Sequence, residues 1–310
     1  ALTRSGIESV DDILNDLHVT SLERVFPEAG EHEARTRAAG LHRWYVLRFA
    51  SEEDLDKAAE RLAGVAEISK VQFRTRLYRA SDCKTYPFQA TANGQTRALV
   101  TADFNDPNLF WQWHYINNAD QAVATTSVAG ADINVADAWK LTAGNPEVIV
   151  AIVDEGVKYT HPDLAANMWI NPNPSPEYKN QDIHGWNFAA DGSISWGQKG
   201  DSGHGTHVAG TVAAVNNNGI GVCGVAGGTG KGDGVRLMSC QIFSGDLTGD
   251  ALVSSRAVKY AADHGASILQ CSWGIKAGIY TSDNMFIKQS PMDYLSLIHI
   301  SEPTRLQLIS

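Results

Sequence analysis

The run "EVIVAIVD" (residues 147–154) decides the fold of this 310-residue chain. It is a continuous apolar segment that ends in an acid, which is typical of a strand buried on both faces of a sheet. Small residues in "GTHVAGTVAAV" (205–215) favour a helix packed close against that sheet. The order then recurs, because "VRLMSCQIF" (235–243) predicts a strand, "DALVSSRAVKYAADHG" (250–265) a helix and "ASILQCSWG" (266–274) a strand. This alternation predicts an α/β fold with a doubly wound parallel sheet.

The composition limits the classes of function. Hydrophobic residues make up 43% of the chain, which is enough for well-buried cores, and the formal net charge of −10 argues against a nucleic-acid partner. Apolar runs such as 148–153 are too short to cross a bilayer, so we expect no transmembrane segment. The first residue is Ala, so a leader could have preceded it. The chain has four widely spaced cysteines: Cys83, Cys223, Cys240 and Cys271. Their spacing favours buried free thiols, although the three ways of pairing them in disulfides stay open.

The N-terminal region, residues 1–80, predicts a separate small α+β unit. Helical periodicity covers "SGIESVDDILNDL" (5–17), and strand-forming residues follow at 42–50. A second helix is predicted from Ser51, with that serine as its N-cap, and a further strand at 65–73. This order favours an open-faced sheet with helices on one side.

Polar residues lie where a site is expected, since ligands bind at the carboxyl ends of parallel strands. Asp154 and Ser272 both end predicted strands, and "DSGHGTHVAG" (201–210) opens a helix with two histidines. An acid at a strand end and a histidine at a glycine-led helix are the orienting parts of a nucleophilic triad, in which the imidazole takes a proton from a serine. Considered alone, Asp154 could equally serve to anchor a loop, and His204 could equally be a structural histidine. His204 and His207 also form a His-x-x-His pair that suits a metal, without a third ligand at a suitable spacing.

Taken together, these segments resemble the subtilisin-like serine protease family. "AIVDEGV" with "THPDL" resembles its aspartate motif, and "HGTHVAGTVAA" its histidine motif. The resemblance implies that Asp154 is the triad acid, His204 the general base and His207 a structural neighbour. It also implies a partial subtilisin-like domain at 103–294 and a secreted or cell-envelope serine endopeptidase that acts on polypeptides.

Further residues are assigned by the same resemblance. "SILQCSWG" resembles the strand that pairs with substrate, which implies substrate binding by Ser272, Trp273 and Gly274, while Trp273 also fits a core aromatic. Glu155 stands where the family usually has a small residue or Asp, and we expect it to point to solvent. The family's oxyanion asparagine and glycine-flanked serine are not found in the chain. A catalytically dead, peptide-binding relative is therefore the alternative.

The N-terminal unit resembles the family's propeptide, a ferredoxin-like module that assists folding and blocks the cleft. An unrelated N-terminal domain is the alternative. Residues 81–102 read as a linker and processing region, with cleavage between about Ser81 and Asp103.

The C-terminal residues, 295–310, break the preceding pattern. "LSLIHISEPTR" (295–305) resembles the conceptual translation of a transposase-type sequencing adapter, so we expect an artefact and a natural gene that continues past Tyr294.

Calcium is the expected cofactor. "HPDL" and "VNNNGIGV" (215–222) resemble the family's tight calcium loop, and an Asn-rich turn without metal is the alternative. The implied ligands are the side chains of Asp163 and Asn217 and the carbonyls of Val215, Ile220 and Val222. We expect no organic cofactor, because the glycine-rich run "GVAGGTGKGDG" (224–234) lies between a helix and a strand, the wrong order for a phosphate-binding turn.

Overall fold

The computed structural model describes residues 2–49, 54–80, 104–120 and 126–275. These residues form two compact units, one built from 1–77 with 250–263, the other from 78–249 with 264–274. The predicted linker at 81–102 and the predicted adapter-derived tail at 295–310 lie outside the described residues. The predicted domain boundaries stay predictions.

A parallel sheet, with four strands among the described residues, forms the centre of the second unit. The predicted α/β class with a parallel sheet is confirmed. In chain order the strands of this sheet are β4 (Ile149–Glu155), β5 (Gly185–Asn187), β6 (Arg236–Phe243) and β7 (Ile268–Gln270). Across the sheet their order is β5-β6-β4-β7.

The central strand is fixed by its apolar run. In β4, Val150 pairs with Leu237 on one side and with Ile268 on the other, so both edges of the strand are hydrogen-bonded. Ile152 is fully buried, and such burial contributes about 1.5–3 kcal/mol per side chain. The core beside it also contains Val157, Leu164, Ala209, Ala213 and Leu237.

Helix α5 (His204–Ala213) carries the small residues that the sequence assigned to close packing. Ala209 and Ala213 are fully buried in the core beside β4. A Cβ on Gly205 would lie 2.1 Å from the carbonyl oxygen of Glu155, so only glycine lets the helix approach the strand this closely. The predicted helix at 205–215 is confirmed, and the glycine-rich run at 224–234 forms the connection from α5 to β6.

The predicted strand at 266–274 is divided in two. Its first part is β7, and its second part is β8 (Trp273–Gly274), which pairs antiparallel with β3 (Tyr78–Arg79) in a different sheet. Because β8 belongs to a different sheet from β7, the prediction of one uninterrupted strand at 266–274 is wrong. Ile268 in β7 is 48% exposed, at the edge of the sheet as far as it is described.

The described residues of the first unit form a short antiparallel pair of strands and four α-helices. The strands are β1 (Ser21–Arg24) and β2 (Tyr45–Arg48), and the helices are α1 (Glu8–Asp16), α2 (Glu33–Ala38), α3 (Leu55–Ala63) and α6 (Ala251–Asp263). Helix α6 joins this unit partly through Arg256, whose Nε donates to the carbonyl of Val25. The remaining short elements are α4 (Val135–Trp139) and 3₁₀ turns at Gly30–His32, Leu41–Arg43, Leu109–Trp111, Ala165–Asn167 and Pro176–Tyr178.

Two local predictions in this unit need correction. The predicted strand at 65–73 is wrong, because Val65 and Ile68 reach the core with their side chains without joining a ladder. Helix α3 begins at Leu55, and its N-cap is Asp54, whose Oδ1 accepts the amides of Asp56 and Lys57 at 3.0 and 3.4 Å. The predicted cap, Ser51, lies outside the described residues. Within the described ranges, no helix combines the length and apolar character needed to cross a membrane.

Candidate active site

Asp154 lies near the carboxyl end of β4 and is completely buried. Its Oδ1 accepts the backbone N–H of Glu155 at 2.6 Å. The ladder between β4 and β6 shifts register between Asp154 and Glu155, which marks this strand end as irregular. Burial raises the pKa of the Asp154 carboxyl, and the hydrogen bond from His204 opposes that rise.

His204 opens helix α5 and faces Asp154. The preceding residue, Gly203, has a φ of 78°, a left-handed conformation that glycine adopts without strain. The Nδ1 of His204 lies 2.7 Å from Oδ1 of Asp154, and the histidine is only 4% exposed. The structure therefore brings together the two residues that the sequence selected.

This pair can move a proton. When Nδ1–H donates to the carboxylate, Nε2 is left with a lone pair that can accept a proton from a hydroxyl. The buried carboxylate also stabilises the imidazolium that results, because the charge pair lies away from bulk water. The arrangement can therefore supply a general base and a group that orients it.

Glu155 does not point to solvent, so the prediction for this residue is wrong. It is 1% exposed, and its Oε2 accepts the backbone N–H of His204 at 2.9 Å and that of Ser202 at 3.2 Å. The guanidinium of Arg79 forms an ion pair with the same carboxylate. Glu155 is buried because the first amides of α5 and an arginine satisfy its charge.

The predicted substrate-binding residues lie on and beside β8. Gly274 pairs with Tyr78, and Trp273 pairs with Arg79. The carbonyl of Ser272 accepts the N–H of Ala80 at 2.9 Å. Trp273 is partly buried, and its indole N–H donates to the carbonyl of Val153 at 2.7 Å, which ties this segment to β4. The backbone of 272–274 thus already receives an extended peptide.

The comparison with protein families decides the class of this site. The model of the Subtilase family matches residues 145–300, half of the chain. This chain belongs to the subtilase family. The matched range includes Asp154, His204 and 272–274.

Individual relatives agree with that assignment. Neuroendocrine convertase 2 of Bos taurus is 32% identical over 243 residues, which is 76% of this chain and 34% of the convertase. Halolysin of Haloferax mediterranei is 32% identical over 185 residues, or 60% of this chain and 29% of halolysin. The chain therefore spans about a third of the length of these curated subtilases.

A solved structure supports the subtilase fold. The crystal structure of fervidolysin from Fervidobacterium pennivorans, a keratinolytic enzyme related to subtilisin, matches with a TM-score of 0.54 at 19% identity. The match covers 92% of this chain and 36% of fervidolysin. At that identity the likeness concerns the fold alone.

The second histidine of the subtilase motif occupies a different environment from the first. His207 is exposed on α5, whereas His204 is buried. Within the described residues, no group of three His, Cys, Asp or Glu side chains is arranged to hold a metal ion. His204 is engaged by Asp154, so the geometry favours the proton-transfer role over a shared metal.

The loop assigned to calcium surrounds Asp163, which is 3% exposed. The N–H of Val222 donates to Oδ2 of Asp163 at 2.9 Å, and the N–H of Val215 donates to its carbonyl at 2.9 Å. The side chain of Asn218 donates to Oδ1 of Asp163 at 2.8 Å. Asn217, which the sequence analysis named, donates its side-chain amide to the carbonyl of Thr229.

Asp106 joins this cluster although the sequence analysis did not select it. Its Oδ2 accepts the N–H of Asn217 at 2.6 Å, and its Oδ1 is buried with no hydrogen-bond partner among the described residues. Burial raises the pKa of Asp163, and the nearby Asp106 carboxyl raises it further. Ile220 is 41% exposed, at the outer side of the loop. The only sequence signal for Asp106 was its place in "NDPN", just before the aromatic segment.

Three of the four cysteines lie within the described residues. Cys223 and Cys240 are buried free thiols, Cys271 is partly buried, and Cys83 lies outside the described residues. Burial raises the thiol pKa of both Cys223 and Cys240, which makes them poor nucleophiles.

Proposed function

We propose that the protein carrying this chain is a serine endopeptidase that hydrolyses polypeptides. The observation that carries the proposal is the 2.7 Å contact between Nδ1 of His204 and Oδ1 of Asp154 at the junction of β4 and α5. In the proposed reaction a serine hydroxyl attacks the peptide carbonyl, His204 accepts its proton, and Asp154 holds the imidazole. Ser272, Trp273 and Gly274 bind the substrate backbone as an added strand.

The test uses the product of the complete gene and an unfolded polypeptide as substrate. We expect His204→Ala to lower turnover by roughly a million-fold, a magnitude known from a member of this family. We expect Asp154→Asn to lower it by about 10⁴-fold, because the wrong tautomer is then favoured. His207→Ala is the matched control on the same helix and keeps activity. Equal losses in the two histidine variants would contradict the assignment.

The alternative is a peptide-binding relative without turnover. Sequencing the gene beyond Tyr294 separates the two: a Gly-Thr-Ser-x-Ala motif at a strand-to-helix turn supports the enzyme, and another residue at that serine supports the binding protein. Labelling by a serine-directed fluorophosphonate gives the same distinction at the protein level.

We also propose that residues 1–80 act as a propeptide whose end pairs with β8 in the place of substrate. The pairing of β3 with β8 supports this, because a strand of the same chain already lies where substrate is expected. A secreted or cell-envelope location belongs to the same proposal. Fractionation of the native host, with detection of the protein in culture medium or envelope, tests it.

We propose calcium as a structural ion at Asp163. The residues fit a hard cation, since two buried carboxylates meet there and Oδ1 of Asp106 has no hydrogen-bond partner among the described residues. Asp163 and Asp106 would supply carboxylate oxygens, and the 215–222 loop would supply carbonyls. The ion would cross-link this loop to Asp163 and stabilise the fold without taking part in proton transfer.

A further inference from the structure

Two exposed histidines of the second unit lie on neighbouring elements. His207 is on helix α5, and His114 belongs to the aromatic segment at 109–116. The buried Tyr115 ties this segment to the helix, because its hydroxyl donates to the carbonyl of Thr211 at 3.0 Å. Thr211 follows His207 by one turn, and its own hydroxyl donates to the carbonyl of His207 at 3.3 Å. The segment that carries His114 is therefore anchored one turn from His207, on the same face of α5.

The ring of His114 is held in place by its neighbours. It packs edge-on against Tyr115, with 4.5 Å between the ring centroids, and against Trp113 at 6.0 Å. The backbone carbonyl of His114 accepts the N–H of Ile133 at 3.0 Å. Partial burial lowers the pKa of His114, and the charge of His207 lowers it further. The two imidazoles are therefore close enough to interact electrostatically, and the neutral form of His114, which a metal ion requires, is favoured.

The ring nitrogens of this pair are available to a ligand. Both residues are exposed, and among the described residues no hydrogen bond occupies the imidazole of His114 or His207. His204 differs, because Asp154 lies 2.7 Å from its Nδ1. A neutral imidazole with a free lone pair on nitrogen is a preferred ligand of zinc, copper and nickel ions. The pair thus has the chemistry of a metal ligand set on the outer side of α5.

We infer that His114 and His207 form a surface site for a divalent transition-metal ion, which takes one imidazole nitrogen from each residue and water at its remaining positions. The described residues supply no third His, Cys, Asp or Glu to this site, so the ion is exchangeable rather than enclosed. When bound, it cross-links the aromatic segment to α5. The site includes neither Asp154 nor His204, so substitution of His207 changes metal binding and leaves turnover by the metal-free protein unchanged.

Calorimetric titration of the full chain with Zn²⁺, in buffer that contains saturating calcium to occupy the loop around Asp163, tests the site. Two ligands on one molecule bind about 10²- to 10⁴-fold more tightly than one, so His114→Ala and His207→Ala should each weaken Zn²⁺ binding by at least about 100-fold. The matched control is His18→Asn, which removes an exposed histidine of the first unit at a left-handed backbone position that asparagine also adopts. This variant should bind Zn²⁺ like the unsubstituted chain. Binding that either alanine variant retains at full strength overturns the inference, as does a lack of binding by the unsubstituted chain.

Electron paramagnetic resonance with one equivalent of Cu²⁺ identifies the ligands directly. The spectrum of the full chain should show coupling to two imidazole nitrogens, and that of His114→Ala or His207→Ala to one at most. Coupling to a single imidazole in the unsubstituted chain overturns the shared site. Zn²⁺ should also raise the melting temperature of the full chain, because the pair exists only in the folded state, and this rise should be lost in both alanine variants. None of these measurements requires catalysis, so the inference and the proposed function can fail separately.

Discussion

Gly205 provides the sharpest test of how the candidate site is assembled. A Cβ at this position would lie 2.1 Å from the carbonyl oxygen of Glu155, 2.7 Å from its carbonyl carbon and 3.2 Å from its Cα. All three are backbone atoms of β4, so no side-chain rotation relieves the contact. Gly210, in the same helix, has no neighbouring atom within 4 Å of the corresponding Cβ.

The two glycines should therefore respond to alanine in opposite directions. Alanine in a helix interior is favoured over glycine by about 1 kcal/mol, so Gly210→Ala should raise the free energy of unfolding by about 0.5–1 kcal/mol. Overpacking costs about 1–3 kcal/mol, and the 2.1 Å approach to backbone atoms places Gly205→Ala at the upper end of that range. After the gain of about 0.5–1 kcal/mol, Gly205→Ala should lower the free energy of unfolding by about 2 kcal/mol.

Urea unfolding of both variants, followed by far-UV circular dichroism, measures the difference. The dependence of unfolding free energy on urea concentration must stay the same, so that midpoints report stability. A Gly205→Ala variant that is as stable as Gly210→Ala would refute the close approach of α5 to β4. The close packing at Gly205 could then not be what brings the start of α5, and with it His204, against the end of β4.

Three further results are expected. Asp54→Ala should lower the free energy of unfolding by about 0.5–2 kcal/mol through loss of the α3 cap, while Asp54→Asn, which can still cap, should change it little; thermal melting compares them. Cys223 and Cys240 should stay unmodified by iodoacetamide between about pH 7 and 9, because burial raises their thiol pKa and removes the thiolate, and both should react in guanidinium, as read by peptide mass spectrometry. Addition of calcium should raise the melting temperature, and Asp163→Asn or Asp106→Asn should reduce that rise. A rise in both variants as large as in the unsubstituted protein argues against the ion site.

The elements that the sequence predicted well are those whose own residues determine their environment. The run at 147–154 is apolar on both faces, so it could lie only inside a sheet. The small residues of α5 favour close packing against that sheet, where Ala209 and Ala213 are buried. Asp154 and His204 then met because strand end and helix start adjoin at one edge of the fold.

The elements that were missed depend on distant partners. Glu155 carries a charge, and charged residues are usually exposed. Its burial depends on Arg79 and on the amides at the start of α5. No local sequence pattern reveals these partners. Asp106 was missed for the same reason, because it reaches the loop around Asp163 through a contact with Asn217 in another part of the chain. The segment at 65–73 has strand-forming residues but no strand beside it among the described residues.

Two consecutive acids together fix the position of His204. Asp154 binds the imidazole at Nδ1, and Glu155 binds the backbone N–H of the same residue, so both the ring and the start of α5 are held by the end of β4. Without Glu155, the backbone N–H of His204 at the start of α5 would lose the side-chain acceptor that it has now. The acid that orients the base and the acid that receives Arg79 therefore belong to one strand end. The ion pair between Arg79 and Glu155 should for this reason help to hold His204 against Asp154.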